Sequence, residues 1–529
     1  MYISSSISLK FKFMYYVYVN YDDYLLYEKP FNLFDFEDIC LIFPEIFFGM
    51  SLLAMIIHGV LLSSNKMYPL IQLSSIYLSI FLLLLVCILI YNTTLLFDVS
   101  FFNNTIILDL LAFYVKLFIL IASIICLLCI IKYTEHLKIN NIEYIILILF
   151  AIFGLNLLCS ANDLLTAYLS IELQSLSFYL LTAFNRNSIF STESGLKYFI
   201  LGSLSSSLFL FGASIIYGVI GTTNFEDFKD IFFYSFSKIS FFEKNNFLNL
   251  SNFGFLLIIS SVFFKLALAP FHIWSPDIYE GALTSSTIFF AVIPKLSLFC
   301  LFVRIFQSNS FDFVNYWRYF FVFISVLSIV IGSFVGLEQR KLKSLIAYSS
   351  ISHMGYTLLA YSSGTNEGVQ SLFSYLIIYI LSGICLWAIF LMIKFKNNYN
   401  TKNNKDISDF VLLNKTNALI SLVFSTVLLS LAGFPPFIGF YVKLNIFLSV
   451  IESSMYFVSI ISILCSVIST FYYIRIIKIL YFENGIVGNL YYSISYLFSI
   501  ILSICFFLFI FLFVDPDFIY LLTFNMSIF

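Results

Sequence analysis

The sequence predicts an all-α polytopic membrane protein, and three observations carry that expectation. Of 529 residues, 61% are hydrophobic and only 11% are Asp, Glu, Lys or Arg, where soluble domains carry about 25%. The mean hydropathy is +0.99, with 67 Phe and 36 Tyr. Most segments are therefore apolar all round rather than along one stripe, which suits helices solvated by lipid. The apolar residues also fall into fourteen separate runs. At about 20 residues per crossing these use roughly 280 residues and leave about half the chain for loops, tails and helix extensions.

The runs lie near 40–62, 70–91, 110–131, 144–161, 163–184, 195–221, 252–270, 284–306, 317–337, 343–361, 370–394, 414–434, 455–480 and 490–513. In lipid each can satisfy its backbone only as a helix. Residues 1–39, rich in Tyr and Phe but broken by Lys10, Lys12, Asp22, Asp23 and Lys29, carry no cleavable signal pattern. They read as an extension lying on or near the membrane surface. Two helices should be interrupted, at Pro270-Phe-His-Ile-Trp-Ser-Pro276 and at Gly433-Phe-Pro-Pro-Phe-Ile-Gly439. Proline removes a backbone donor and clashes with the preceding turn. Matching interruptions in two halves commonly mark a transport site. Leu266-Ala-Leu-Ala-Pro270 and Leu431-Ala-Gly-Phe-Pro435 echo each other, as do Tyr168-Leu-Ser-Ile-Glu172 and Tyr348-Ser-Ser-Ile-Ser352 at a different offset, which suggests an internal repeat.

Other functional classes find little support. Net charge is −2, so no basic surface points to nucleic acid. All nine Cys, including Cys126 and Cys129, fall in or beside apolar runs, where free Cys behaves as a small hydrophobe. The four His (His58, His136, His272 and His353) are too scattered for paired haem ligands. There is no phosphate-binding loop, dinucleotide fingerprint, GxSxG or HExxH. The chain by itself is expected neither to oxidise nor to hydrolyse anything. The bias toward Phe, Ile, Tyr, Asn and Lys hints at an A+T-rich organelle genome. Lys and Arg in alternate loops number fourteen inside, Lys343 among them, against eight outside, Arg304 among them, when the N-terminus is placed outside, which favours both termini outside.

The charges inside apolar runs point to chemistry. An ammonium or carboxylate at mid-bilayer costs from about 3 to more than 10 kcal/mol, so such groups face the bundle interior and serve ion paths. Glu172 sits mid-helix among Ser170, Ser175 and Ser177, whose hydroxyls could position water. Lys265 lies about one turn before the first break. Lys295 follows Pro294, and any partner for it must come from another helix or from water. Lys443 follows the second break, buried or at the interface according to where that boundary falls. Lys197, near the start of its run, either pairs or snorkels, and Lys116 is expected to snorkel. His353 is either a proton relay or a satisfied helix-interior imidazole. Burial weakens an ammonium's hold on its proton and a nearby carboxylate strengthens it. Buried lysines on adjacent helices therefore suit proton or cation movement rather than bond cleavage.

These segments resemble the antiporter-like subunits of respiratory complex I, a family shared with Mrp-type cation/proton antiporters. The resemblance runs from about Leu41 to the end of the chain. It rests on Leu41-Ile-Phe-Pro-Glu-Ile-Phe47 with Ile57-His-Gly59, Ile171-Glu-Leu-Gln-Ser-Leu-Ser177, and Gly195-Leu-Lys-Tyr-Phe199. It rests further on Phe264-Lys-Leu-Ala-Leu-Ala-Pro-Phe-His-Ile-Trp-Ser-Pro-Asp-Ile-Tyr-Glu-Gly281, Pro294-Lys295, Ala347-Tyr-Ser-Ser-Ile-Ser-His-Met-Gly-Tyr356, and Leu431-Ala-Gly-Phe-Pro-Pro-Phe-Ile-Gly439 with Lys443. Residues 1–39 and the loop at 222–251 have no matched counterpart.

The resemblance implies about fourteen transmembrane helices with two inverted five-helix repeats and broken seventh and twelfth helices. It divides the chain into the extension 1–39, helices 1–3 at 40–142, a first repeat at 143–306, a second at 307–482, and a C-terminal helix and tail at 483–529. It maps the family's helix-five acid to Glu172 and its lysines on helices six, seven, eight and twelve to Lys197, Lys265, Lys295 and Lys443, the last a position that can be Glu in related subunits. The implied function is proton translocation in the membrane arm of an NADH:ubiquinone reductase, with the charge changes passing through these residues and His353. NADH, FMN, iron–sulfur clusters and ubiquinone are expected in other subunits and no cofactor in this chain. The expected partners are neighbouring antiporter-like and other membrane-arm subunits and lipid, in the mitochondrial inner membrane. The alternative from another class is a stand-alone or Mrp-type cation/proton antiporter, and a third reading is a structural spacer that does not pump.

Overall fold

The computed structural model describes residues 39, 41–63, 71–93, 99–137, 141–228, 241–307, 312–392, 406–411, 413–483 and 496–527. The chain divides into Met1–Ile42 and Phe43–Phe529. Residues 1–38, with Lys10, Lys12 and Lys29, lie outside the described residues, as do Lys66, Lys138, Lys229, Lys238 and the lysines of 393–405.

Within the described residues each apolar run from Phe43 on forms a helix. In order they form α1 (Phe43–Ser63), α2 (Ile71–Asn92), α3 (Leu110–Leu137), α4 (Ile142–Ser160), α5 (Leu164–Thr182), α6 (Ile189–Ile220) and α7 (Phe241–Leu266). There follow the short α8 (Trp274–Gly281), then α9 (Thr284–Gln307), α10 (Asp312–Glu338), α11 (Leu342–Tyr361) and α12 (Asn366–Met392). The last group is the one-turn α13 (Leu413–Thr416), α14 (Ala418–Ala432), α15 (Ile438–Glu452), α16 (Tyr456–Tyr481), α17 (Tyr496–Val514) and α18 (Asp517–Ser527). A small antiparallel hairpin, β1 (Val99–Phe101) and β2 (Ile106–Leu108), precedes α3. Among the described residues eleven helices are long and apolar enough to cross a membrane, and Leu250–Leu266 and Ala418–Ala432 are shorter apolar helices. Those two are the first arms of the interrupted helices. The remaining run is α11, too polar to qualify, and its composition has a physical reason: every residue of it except Tyr348 is buried in the protein. With α9 and α12, also largely buried, it forms the centre of the bundle.

Both interruptions use one device. At the end of α7, Ala267 takes a left-handed φ of 60°, and Leu268 and Ala267 donate back to the carbonyls of Phe263 and Phe264. At the end of α14, Gly433 takes φ 86°, and Phe434 and Gly433 donate to Leu429 and Ser430. These are Schellman caps, which satisfy the last carbonyls of a stopped helix. A cis proline follows each, Pro270 and Pro436. The register that superposes the caps pairs Ala267 with Gly433 and Pro270 with Pro436. The sequence echo, which paired Pro270 with Pro435, is therefore one residue out.

The helix pairs before the breaks repeat as well. An added Cβ on Gly154 of α4 would lie 3.0 Å from the Ser170 carbonyl and the Gln174 amide of α5. On Gly332 of α10 it would lie 2.8 Å and 2.7 Å from the Tyr348 carbonyl and the Ser352 amide of α11. One shift in numbering carries all three members of the first set onto the second. It differs by two residues from the match of Tyr168 with Tyr348, so packing, not letters, fixes the correspondence.

Candidate proton-translocation site

In the first half the site begins on α5. Glu172, Ser175 and Tyr179 are spaced to share one helix face. The Ser175 Oγ donates to the Glu172 backbone carbonyl at 3.2 Å and approaches its Oε2 at 3.4 Å. Ser175 also stands beside the Tyr179 hydroxyl, which accepts from Lys265 Nζ at 3.2 Å. The ammonium lies 5.6 Å from the Tyr179 ring centroid, within cation–π range. Glu172 and Lys265 thus communicate through hydroxyls rather than as a direct ion pair. Glu172 Oε1 is buried without a hydrogen-bond partner. Ser170 and Ser177 donate to their own helix, at Ala167 and Gln174, so Ser175 is the one of the three flanking serines that reaches the carboxylate. Trp274 fastens the break beside this site by donating Nε1 to the Phe264 carbonyl at 2.9 Å, and its ring stacks on Tyr198.

The centre joins α9, α11, α12 and α16. Lys295, buried and one residue after Pro294, donates to the Tyr379 hydroxyl at 2.6 Å and lies 4.6 Å from that ring's centroid. The Tyr379 hydroxyl in turn approaches the Ala291 carbonyl at 3.4 Å. His353 is buried with both ring nitrogens engaged: Nδ1 with the Tyr375 hydroxyl at 2.6 Å and Nε2 with the Tyr473 hydroxyl at 3.0 Å. A neutral imidazole donates through one nitrogen and accepts through the other, so the arrangement can hold or exchange one proton.

The second break supplies the last cation. Because α14 stops at Ala432, its final carbonyls lack intrahelical partners and carry the negative end of the helix dipole. Lys443 of α15 donates to two of them, Leu431 at 2.7 Å and Ala432 at 2.9 Å, and lies 5.7 Å from the Tyr356 ring centroid. Lys443 is buried, so the boundary falls on the interior side of the alternatives left open above. A cavity of about 20 Å³, lined by His353, Tyr375, Tyr379 and Lys443 among others, lies between imidazole and ammonium. That is room for a single water.

Lys197 stands apart from this line. It is half-exposed on α6 and bridges Glu193 at 2.8 Å and Asp277 at 3.0 Å. Three other charges sit where the sequence reading did not put them. Lys116 does not snorkel: it is fully buried against Glu45 of α1 at 2.6 Å. Arg304, counted above as an outer loop charge, is buried and grips both oxygens of Asp109 at 2.9 and 3.0 Å and the Cys159 carbonyl at 3.0 Å. Lys343, counted on the inner side, is buried on the Ala282 carbonyl at 2.9 Å. Lys341 beside it pairs with Glu280. The tyrosines Tyr179, Tyr379, Tyr375, Tyr473 and Tyr356 were missed. Only Tyr179 had a local signal, its spacing from Glu172, because the others meet their partners from separate helices.

Two interrupted helices, each beside a buried or half-buried lysine, define a membrane protein of the antiporter-like class. Residues 161–469 match the family described as NADH:quinone oxidoreductase/Mrp antiporter, TM. A relative from Pelagibacter ubique, named NADH-quinone oxidoreductase subunit N, is 38% identical over 450 residues, covering 85% of this chain and 90% of its own length. One from Marchantia polymorpha, named NADH-ubiquinone oxidoreductase chain 2, is 36% identical over 496 residues, covering 93% and 99%. The fold matches a chain of respiratory complex I from Thermus thermophilus (TM-score 0.73, 23% identity, 90% of this chain and 98% of that one). It also matches a chain of the Mrp complex from Dietzia sp. (0.73, 15%, 92% and 97%). The chain belongs to the NADH:quinone oxidoreductase/Mrp antiporter transmembrane family.

Proposed function

We propose that this multi-pass protein is a proton-translocating membrane-arm subunit of a respiratory NADH:quinone oxidoreductase, in the mitochondrial inner membrane and beside other antiporter-like subunits. The observation that carries the reading is the set of buried or half-buried cations in two linked groups: Lys265 reaches Glu172 through the hydroxyls of Tyr179 and Ser175, and Lys295 bonds Tyr379, which lines with His353 and Lys443 the small cavity beside the second break. Its relatives' names support it. The redox chemistry, with NADH, flavin, iron–sulfur clusters and quinone, belongs to other subunits, and this chain supplies charge movement.

A change of charge near Glu172 reaches Lys265 through Ser175 and Tyr179. Lys265 and Lys295 stand on α7 and α9, which the short α8 connects. The imidazole of His353 and one water then lead to Lys443. Lys197, paired with Glu193 and Asp277, stands apart from this line, and its half-exposure suits uptake or a subunit contact. Two measurements test the reading. On a native gel of mildly solubilised membranes the chain should co-migrate with NADH dehydrogenase activity, and migration apart from it would favour an independent cation/proton antiporter. In assembled complex, Lys265→Met or Glu172→Gln should reduce NADH-driven proton pumping, and full pumping in both would overturn the assignment.

A further inference from the structure

Each lysine in the line meets a tyrosine rather than a carboxylate. Among the described ion pairs none contains Lys265, Lys295 or Lys443, yet their ammonium groups lie 5.6, 4.6 and 5.7 Å from the ring centroids of Tyr179, Tyr379 and Tyr356. A carboxylate would lock the proton on lysine, because two full charges attract strongly where water is scarce. A ring quadrupole and a neutral hydroxyl stabilise the ammonium more weakly, so the lysine can be charged or neutral at modest cost. Tyr379 differs from the other two in that its second neighbour is the buried imidazole. Its hydroxyl accepts from Lys295 at 2.6 Å, and its ring centroid lies 5.7 Å from that of His353. One rigid side chain therefore touches a group on α9 and a group on α11. Tyr379 also lines the water-sized cavity that leads to Lys443.

We propose that Tyr379 is a positioning residue that conveys the charge state of Lys295 to His353. With Lys295 protonated, the hydroxyl is held as acceptor and the ring is fixed against the imidazole. The same hydroxyl donates its hydrogen to the Ala291 carbonyl at 3.4 Å, and when Lys295 gives up its proton the hydroxyl is free to turn that hydrogen to the amine. The ring then relaxes against His353. No proton leaves Tyr379 in this step. The inference rests on the proton-translocating reading above, and the test separates the two.

The test compares Tyr379→Phe, which keeps the ring and deletes the hydroxyl, with Lys295→Met, the double variant, and Tyr144→Phe, in intact complex. Tyr144 is a buried control whose hydroxyl bonds Ser285 away from the line. Proton-coupled turnover should fall about ten-fold or more in Tyr379→Phe, the scale of one hydrogen bond to a charged group. It should stay near wild type in Tyr144→Phe. The double variant should be no worse than Lys295→Met, since residues acting as one unit are not additive. A tyrosine band in the NADH-induced infrared difference spectrum should vanish in Tyr379→Phe and also in Lys295→Met. If Lys295→Met is impaired while Tyr379→Phe pumps fully with its band intact, the role of Tyr379 is refuted and the pump reading stands. If Lys295→Met itself pumps fully, the underlying reading fails.

Discussion

At the residue scale the cost of an error depends on whether it leaves a charge unpaired. Lys116 and Glu45 are nearly inaccessible, at 2% and 11% of side-chain exposure. Replacing one partner strands the other, which costs about 3–5 kcal/mol, whereas replacing both by apolar residues is often near neutral. Lys116→Met should therefore lower the thermal stability of the assembled subunit sharply, and Glu45→Met/Lys116→Met should restore most of it. An equal loss in both would mean that the pair does not hold α1 to α3. The two break caps give a second contrast. Left-handed φ costs an L-residue about 1–2 kcal/mol, and at Gly433 an added Cβ would also sit 2.9 Å from the Lys443 Cδ. Gly433→Ala should then lower both stability and pumping. Ala267→Gly relieves backbone strain of that order but gives back about 0.4–1 kcal/mol of unfolded-chain entropy, so melting and turnover should stay close to wild type.

At the element scale, close approach without large side chains sets how the two halves pack. Gly332 brings α10 onto α11 so tightly that a Cβ would meet the Ser352 amide at 2.7 Å, and backbone cannot step aside as a side chain can. Gly332→Leu should force the helices apart, displace His353 on α11, and reduce the amount of assembled protein. Gly218→Ala is the control: no atom lies within 4 Å of its added Cβ, and in a helix Ala is better than Gly by about 0.8–1 kcal/mol. Steady-state levels of the two variants check this. Much of the element scale was legible in the sequence. Proline marked both breaks, and long apolar runs marked the helices. Charges inside those runs marked Glu172, Lys265, Lys295 and Lys443. What was not legible depends on neighbours remote in the chain. Ala267 takes a conformation that its side chain does not advertise. The partners Tyr379 and Tyr473 reach Lys295 and His353 from other helices. Arg304 looks like a loop charge until Asp109 and the Cys159 carbonyl are placed beside it.

At the scale of the whole molecule, burial revises the charge count that argues orientation. The rule compares Lys and Arg near the ends of crossings that are free to interact with the membrane surface, and a guanidinium or ammonium sealed inside the bundle does not qualify. Removing Lys343 from the inner side and Arg304 from the outer side takes one from each, so the inner excess persists. The exposed Arg340 with the paired Lys341 anchors the end where α10 meets α11. The turn at Ser453 and Ser454 between α15 and α16 lies at the opposite end of the second half, where the Arg318 guanidinium binds the Ser453 carbonyl. An impermeant thiol reagent applied to sealed membranes should label Arg340→Cys from the inner face alone and Ser454→Cys from the outer face alone. The reverse pattern would invert the molecule and put the cavity of about 150 Å³ that Glu367 and Glu452 line on the inner side.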